Sequence, residues 1–81
     1  MRRTAAIASV YHVPISTHIF TEQSICVAAA EPNCLSVEHM PWFAELYNES
    51  MDIREGYIQV PQRPGTGFTF NRDALDRYRV N

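Results

Sequence analysis

Two short apolar runs, each ending at an ionisable side chain, flank an alanine-rich stretch. The first, Val13-Pro14-Ile15-Ser16-Thr17, ends at His18; the second, Cys34-Leu35-Ser36-Val37, ends at Glu38, 20 positions later. Between them Thr21 to Ala30 carries Ile25, Val27, Ala28, Ala29 and Ala30 without glycine or proline, and Glu31-Pro32-Asn33 closes it. Runs this short suit strands and the middle stretch suits a helix, so the order is strand, helix, strand. That is one repeat of an α/β barrel or of an open α/β sheet. In both folds the chemistry gathers at the carboxyl ends of the strands. His18 and Glu38 are therefore expected side by side over one pocket, an imidazole and a carboxyl group placed for proton transfer.

A chain of 81 residues makes at most one small domain. Its 46% hydrophobic and 20% charged content is that of a globular chain. A formal net charge of -2 without a basic patch gives nucleic acid no electrostatic footing. No apolar run approaches membrane-spanning length. Met1-Arg2-Arg3 followed by Thr4 to Val10 has the outline of a signal peptide, but the apolar stretch is short and lacks a small-residue cleavage motif. Cys26 and Cys34 lack the spacing of a zinc site and are too few for a disulfide scaffold. They are expected as small buried hydrophobes in a reducing cytoplasm.

Thr4 to Tyr11 places Ala6, Ile7, Val10 and Tyr11 at helical spacing. Two arginines at its start oppose the helix dipole, so this helix begins abruptly, as though cut. His12 to Ser16 is expected as a short buried strand. Thr21 is a candidate cap for the central helix, with Glu22 in the first turn where a carboxylate suits the dipole. After Glu38 the chain changes character. His39-Met40-Pro41-Trp42-Phe43 is an apolar loop, followed by a short helical piece from Ala44 to Tyr47 and a polar, exposed stretch from Glu49 to Glu55. Gly56 to Pro61 alternates like a strand, and Pro64-Gly65 suits the centre of a type II turn. Phe68-Thr69-Phe70 alternates again, and Asn71 is a good N-cap for a last helix from Arg72 to Tyr78.

The segment Pro14-Ile15-Ser16-Thr17-His18-Ile19-Phe20-Thr21-Glu22 resembles the end of the seventh barrel strand in mandelate racemase/muconate lactonizing enzyme-like members of the enolase superfamily. Ala28 to Glu38 is similar to the helix and eighth strand that follow. Gly56 to Pro61 and Arg63-Pro-Gly-Thr-Gly67 resemble the family's C-terminal return toward a capping domain. The resemblance implies an α/β fold that is the C-terminal fragment of a modified TIM barrel: the last two βα units plus a tail. Residues 1–48 are then the partial barrel domain and 49–81 the tail.

It also implies roles. His18 is similar to the general base or acid that exchanges a proton α to a carboxylate, and Glu38 to the group that hydrogen-bonds the substrate carboxylate. His39, next to Glu38, and Phe20, two past His18, are the candidate substrate contacts. The implied cofactor is Mg2+ in the parent enzyme, with its ligands absent from this chain. The implied partner is a small hydroxy acid or acid sugar, with no nucleic acid or membrane, and the full-length enzyme is expected as a homo-oligomer.

The departures carry equal weight. The family's Lys-x-Lys motif has no counterpart, because the chain contains no lysine. The strands bearing the acidic metal ligands and the Asp that orients the histidine also have none. His12, His18, Glu38 and His39 fit no standard metal-ligand spacing. Two classes of function follow. In one, the chain is part of a Mg-dependent acid-sugar dehydratase or, alternatively, of a racemase or epimerase. In the other, taken alone, it is a catalytically inactive truncated fragment that folds poorly or is held by a partner.

Overall fold

All 81 residues are described in the computed structural model. Arg2–Val10 forms helix α1, Ile15–Thr17 strand β1, Thr21–Ala30 helix α2 and Cys34–Val37 strand β2. The two strands pair in parallel, as a helical crossover requires. Ile15 lies opposite Cys34, Ser16 opposite Ser36 and Thr17 opposite Val37, with a register shift between Ile15 and Ser16. The Ile15 N–H donates to Asn33 O at 2.9 Å and the Glu38 N–H to Thr17 O at 3.2 Å. The carboxyl ends of the strands thus finish level, which is what places His18 beside Glu38.

Helix α2 covers one face of this small sheet. Ile25, Ala28 and Thr21 are buried, and the small alanine side chains let helix and strands approach closely. Thr21 is not the cap that its residue type suggests. Phe20 occupies the cap position in a left-handed conformation, and the Thr21 hydroxyl donates instead to Glu38 O at 3.1 Å. A buried hydroxyl takes the nearest free acceptor, and the end of β2 supplies one.

Helix α1 starts at Arg2, whose Nε lies 3.0 Å from Glu31 Oε1. It closes with His12 in the left-handed region at φ +56, the Val13 N–H bonding to Ala8 O and the His12 N–H to Ser9 O. This is the double hydrogen bond of a Schellman end, here without the usual glycine. The turn consumes His12 and Val13, so β1 is shorter than the run His12 to Ser16 suggests. The expected apolar face of α1 does not bury. Ala5 is its only buried residue, while Ile7, Val10 and Tyr11 are 64%, 74% and 75% exposed. Nothing else in the chain lies over that face. Asn33 fastens the helix to the sheet through Nδ2, which donates to Ala5 O and Val13 O.

Beyond β2, Pro41–Leu46 is a 3₁₀ helix, starting earlier than the Ala44 to Tyr47 expectation because Pro41 suits its first position. Ile53–Arg54 (β3) and Tyr57–Ile58 (β4) form an antiparallel hairpin. Its two turn residues, Glu55 and Gly56, sit at φ +51 and +81, the mirror-image turn whose twist suits two-residue hairpins. The strand expected from Gly56 to Pro61 thus contracts to two residues, and part of the polar stretch before it is recruited as its partner. Of Phe68-Thr69-Phe70 only Phe70 pairs, with Tyr47. Tyr47 stacks on Phe70, ring centroids 5.3 Å apart, and the Gln23 amide donates to the Tyr47 hydroxyl, tying tail to α2. Asn71 caps the last helix, Arg72–Tyr78 (α3), accepting from the Ala74 N–H at 3.1 Å. Tyr78 holds α3 to the 3₁₀ helix by donating to Glu45 at 2.8 Å, a contact that pushes its phenol pKa up.

Glu49 holds the tail. Its carboxylate accepts from the Thr69 N–H at 2.6 Å and the Thr69 hydroxyl at 2.8 Å. Chiefly through that N–H, these bonds lower its pKa. A carboxyl group with a depressed folded pKa contributes stability above its unfolded pKa and loses it as pH falls through the folded value. The Thr69 amide proton is therefore expected to keep its hydrogen-bonded NMR shift through neutral pH and lose it only below the usual glutamate range. Glu49→Gln should abolish that titration.

Gly65 has φ +66, as the turn at Pro64-Gly65 suggests, with the Gly67 N–H closing on Pro64 O. Gly67 is the constrained glycine: its φ is +81, and an added Cβ would meet Pro61 Cβ at 2.4 Å, whereas one on Gly65 would meet nothing. Gly67→Ala should open this turn. Chymotryptic cleavage after Phe68 is expected to accelerate at least about tenfold, and more than in Gly65→Ala.

The surface is large for the mass. The 9.3 kDa chain exposes 6290 Å², against about 5,000 Å² for a compact monomer of that size. Its radius of gyration is 14.4 Å against about 12 Å. Only 8 of 81 residues are buried, so the sheet and α1 present faces that this chain does not cover. No helix is long and apolar enough to cross a membrane.

Candidate active site

His18 directly follows β1 and Glu38 directly follows β2. His18 Nδ1 lies 2.7 Å from Glu38 Oε2, and the Ile19 N–H donates to the same oxygen at 3.3 Å. The imidazole is 81% exposed and the carboxylate 40%, so the pair opens to solvent on one side. With Nδ1 turned to the carboxylate, Nε2 is the ring nitrogen free to meet another molecule. Glu38 Oε1 makes no hydrogen bond within the chain.

The loop between His18 and α2 is Ile19-Phe20, held at the Ile19 N–H and at the Phe20 carbonyl. Ile19 and Phe20 take φ of +52 and +47, and neither is glycine. Each costs about 1–2 kcal/mol relative to an ordinary conformation. What offsets that cost surrounds them. Phe20 O accepts from the Gln23 N–H, the Ser24 N–H and the Ser24 hydroxyl, while the Phe20 ring stacks on Phe43 with centroids 4.9 Å apart and planes 11° from parallel.

The residues expected at the site do not all meet. His18 and Phe20 line one concavity together with Ser16 and Thr17 of β1 and Val27 of α2. His39 lines another, among Ile25, Leu35, Val37, Tyr57 and Ile58, and no residue is common to both. His39 Nδ1 is buried there without a hydrogen-bond partner. The backbone donor Ile19, the Thr21 hydroxyl and the Phe43 ring join the site without any signal in the sequence, since no glycine announces the left-handed turn.

The donor set does not suit a magnesium ion. Such an ion takes six oxygen ligands in near-octahedral geometry. This site offers one carboxylate, one oxygen of which is already engaged by two donors, and no three His, Cys, Asp or Glu side chains converge anywhere in the chain.

Comparison with known proteins shows the family. Residues 1–74 match the enolase C-terminal domain-like family. The chain belongs to that family. It is 34% identical, over 98% of its own length, to D-xylonate dehydratase of Haloferax volcanii, of which it covers 21%. L-Talarate dehydratase of Polaromonas sp. JS666, solved with Mg and L-glucarate, superposes with a TM-score of 0.87 at 33% identity, covering 98% of this chain and 22% of that one. A mandelate racemase/muconate lactonizing enzyme of the same organism superposes with a TM-score of 0.84 at 33% identity, covering 93% and 21%. The chain thus spans about a fifth of the length of these relatives. Magnesium is bound in solved members of the enolase family, but these 81 residues supply no site for it.

Proposed function

We propose that this chain carries the His–Glu portion of a Mg-dependent enolase-superfamily active site that removes the proton α to a carboxylate, as an acid-sugar dehydratase. The observation that carries the proposal is the 2.7 Å approach of His18 Nδ1 to Glu38 Oε2 at the level ends of two parallel strands. Glu38 Oε2, accepting from Nδ1–H, orients the ring and fixes the tautomer that leaves Nε2 free to take a proton. The α C–H bond breaks toward His18 Nε2, and its electron pair moves into the substrate carboxylate. Glu38 Oε1 is the oxygen left to meet that carboxylate, and a proton held there stabilises the charge developing on it. Departure of the β-hydroxyl, protonated by the imidazolium, releases water and leaves an enol that becomes a ketone. The free face of the Phe20 ring lies on the same concavity as His18, where it serves as a substrate contact. His39 is the more distant candidate.

The dehydratase names of the relatives direct the choice of substrates. The polypeptide as its own cells make it, incubated in D₂O with xylonate, talarate or galactarate, is expected to exchange deuterium into the α carbon of the recovered substrate and to release a 2-keto acid. Neither deuterium uptake nor keto acid from any of them, with magnesium present, would set the proposal aside. A second reading applies to the 81 residues by themselves: the uncovered surface and missing metal donors favour a piece that catalyses nothing alone.

A further inference from the structure

Resting on that reading of His18 and Glu38, we infer that Phe43 is a positioning residue for the catalytic pair. It sits in the 3₁₀ helix beyond β2 and reaches the site through its stack on Phe20. Phe20 is the second of two consecutive left-handed residues, and the first, Ile19, directly follows His18. A β-branched residue at positive φ is an outlier that persists only when its surroundings impose it.

Three restraints impose it here. The Phe20 carbonyl is held by the first turn of α2, the Phe20 ring by Phe43, and the Thr21 hydroxyl by Glu38 O. The first and third act on backbone and on Thr21; Phe43 alone grips the Phe20 side chain by stacking. The left-handed turn is what reverses the chain so that the Ile19 N–H and His18 Nδ1 meet the same oxygen of Glu38. Released from Phe43, Ile19 and Phe20 relax toward negative φ, the Ile19 N–H leaves Oε2, and the imidazole loses its fixed direction. The aromatic stack thus sets the aim of Nε2 although Phe43 meets no substrate.

The test is residue-resolved amide exchange on the polypeptide as its own cells make it, which does not depend on turnover. Phe43→Ala is expected to speed exchange of the Ile19 amide at least about tenfold. The Glu38 and Ile15 amides, which close the β1–β2 ladder, should stay protected, and Phe43→Tyr should restore Ile19 protection. Where a substrate is turned over, kcat should fall in Phe43→Ala with KM little changed, and recover in Phe43→Tyr. Three results would each overturn the inference: an unprotected Ile19 amide in the unmodified protein, no change on Phe43→Ala, or an equal loss of protection across the ladder, which marks mere destabilisation. Absence of turnover with the amide pattern as expected counts against the proposed activity and leaves the positioning role supported.

Discussion

In a full-length enzyme that also supplies the metal donors, replacing His18 by asparagine is expected to abolish α-proton exchange, lowering turnover by about 10²–10⁴-fold, while leaving magnesium affinity nearly intact. The reason lies in which nitrogen does what. Asparagine keeps an N–H near the position of Nδ1, so Glu38 Oε2 retains a donor beside the Ile19 N–H, but nothing replaces Nε2 as the proton acceptor. Deuterium incorporation followed by NMR reads the first effect and titration calorimetry with magnesium the second. Collapse of metal binding would make His18 a ligand and the assignment wrong. Glu38→Gln is expected to cost about 10²–10³ in turnover, the size of losing one preorganised group at a developing oxyanion. Glutamine preserves an acceptor for His18 and Ile19 but carries no transferable proton. An unchanged rate would remove Glu38 from the mechanism.

The second large effect concerns the 81 residues made alone. As a 9.3 kDa monomer the chain is expected to show no cooperative thermal transition, and to associate at concentrations on the order of tens of micromolar. Its exposed area exceeds that of a compact monomer by roughly a quarter, on the size scaling of folded proteins. The excess includes Ile7, Val10, Leu35 and Trp42, the last two 76% and 66% exposed. The outer edges of β1 and β2 are unpaired, which invites strand addition by another chain. With four apolar residues in the buried set, three of them alanine, hydrophobic burial is too small to outweigh the ordering of the backbone. Sedimentation equilibrium and a melting curve measure both points. A strictly monomeric species with a sharp transition, turning over an acid sugar with magnesium, would show that this surface needs no cover.

Several elements were legible from residue order because they depend on local chemistry. Helix α2 spans Thr21–Ala30 and β2 spans Cys34–Val37 as their composition suggests, and Asn71 caps α3 through its own side chain. The neighbourhood of His18 and Glu38 was legible for a related reason: a strand, a helix and a strand of these lengths leave little choice but parallel pairing with level ends. Other features were not. The fate of the α1 face depended on whether anything lies over Ile7 and Val10, and helical spacing is the same either way. The Glu55-Gly56 hairpin lacks the usual Asn-Gly or Asp-Gly signal and forms because Ile53 finds Ile58 across the turn.

Sequence by itself therefore determined the repeat, its two ionisable ends and the family to which they belong. Tertiary structure decided how those ends are aimed: which nitrogen of His18 faces Glu38, that Ile19 and Phe20 turn left-handed, and that His39 lies on a different concavity. The physical reason is the range of the forces involved. Propensity and periodicity act within a few residues, whereas the direction of an imidazole is set by a carboxylate 20 positions away and by an aromatic stack on Phe43, and neither is written in the residues next to His18.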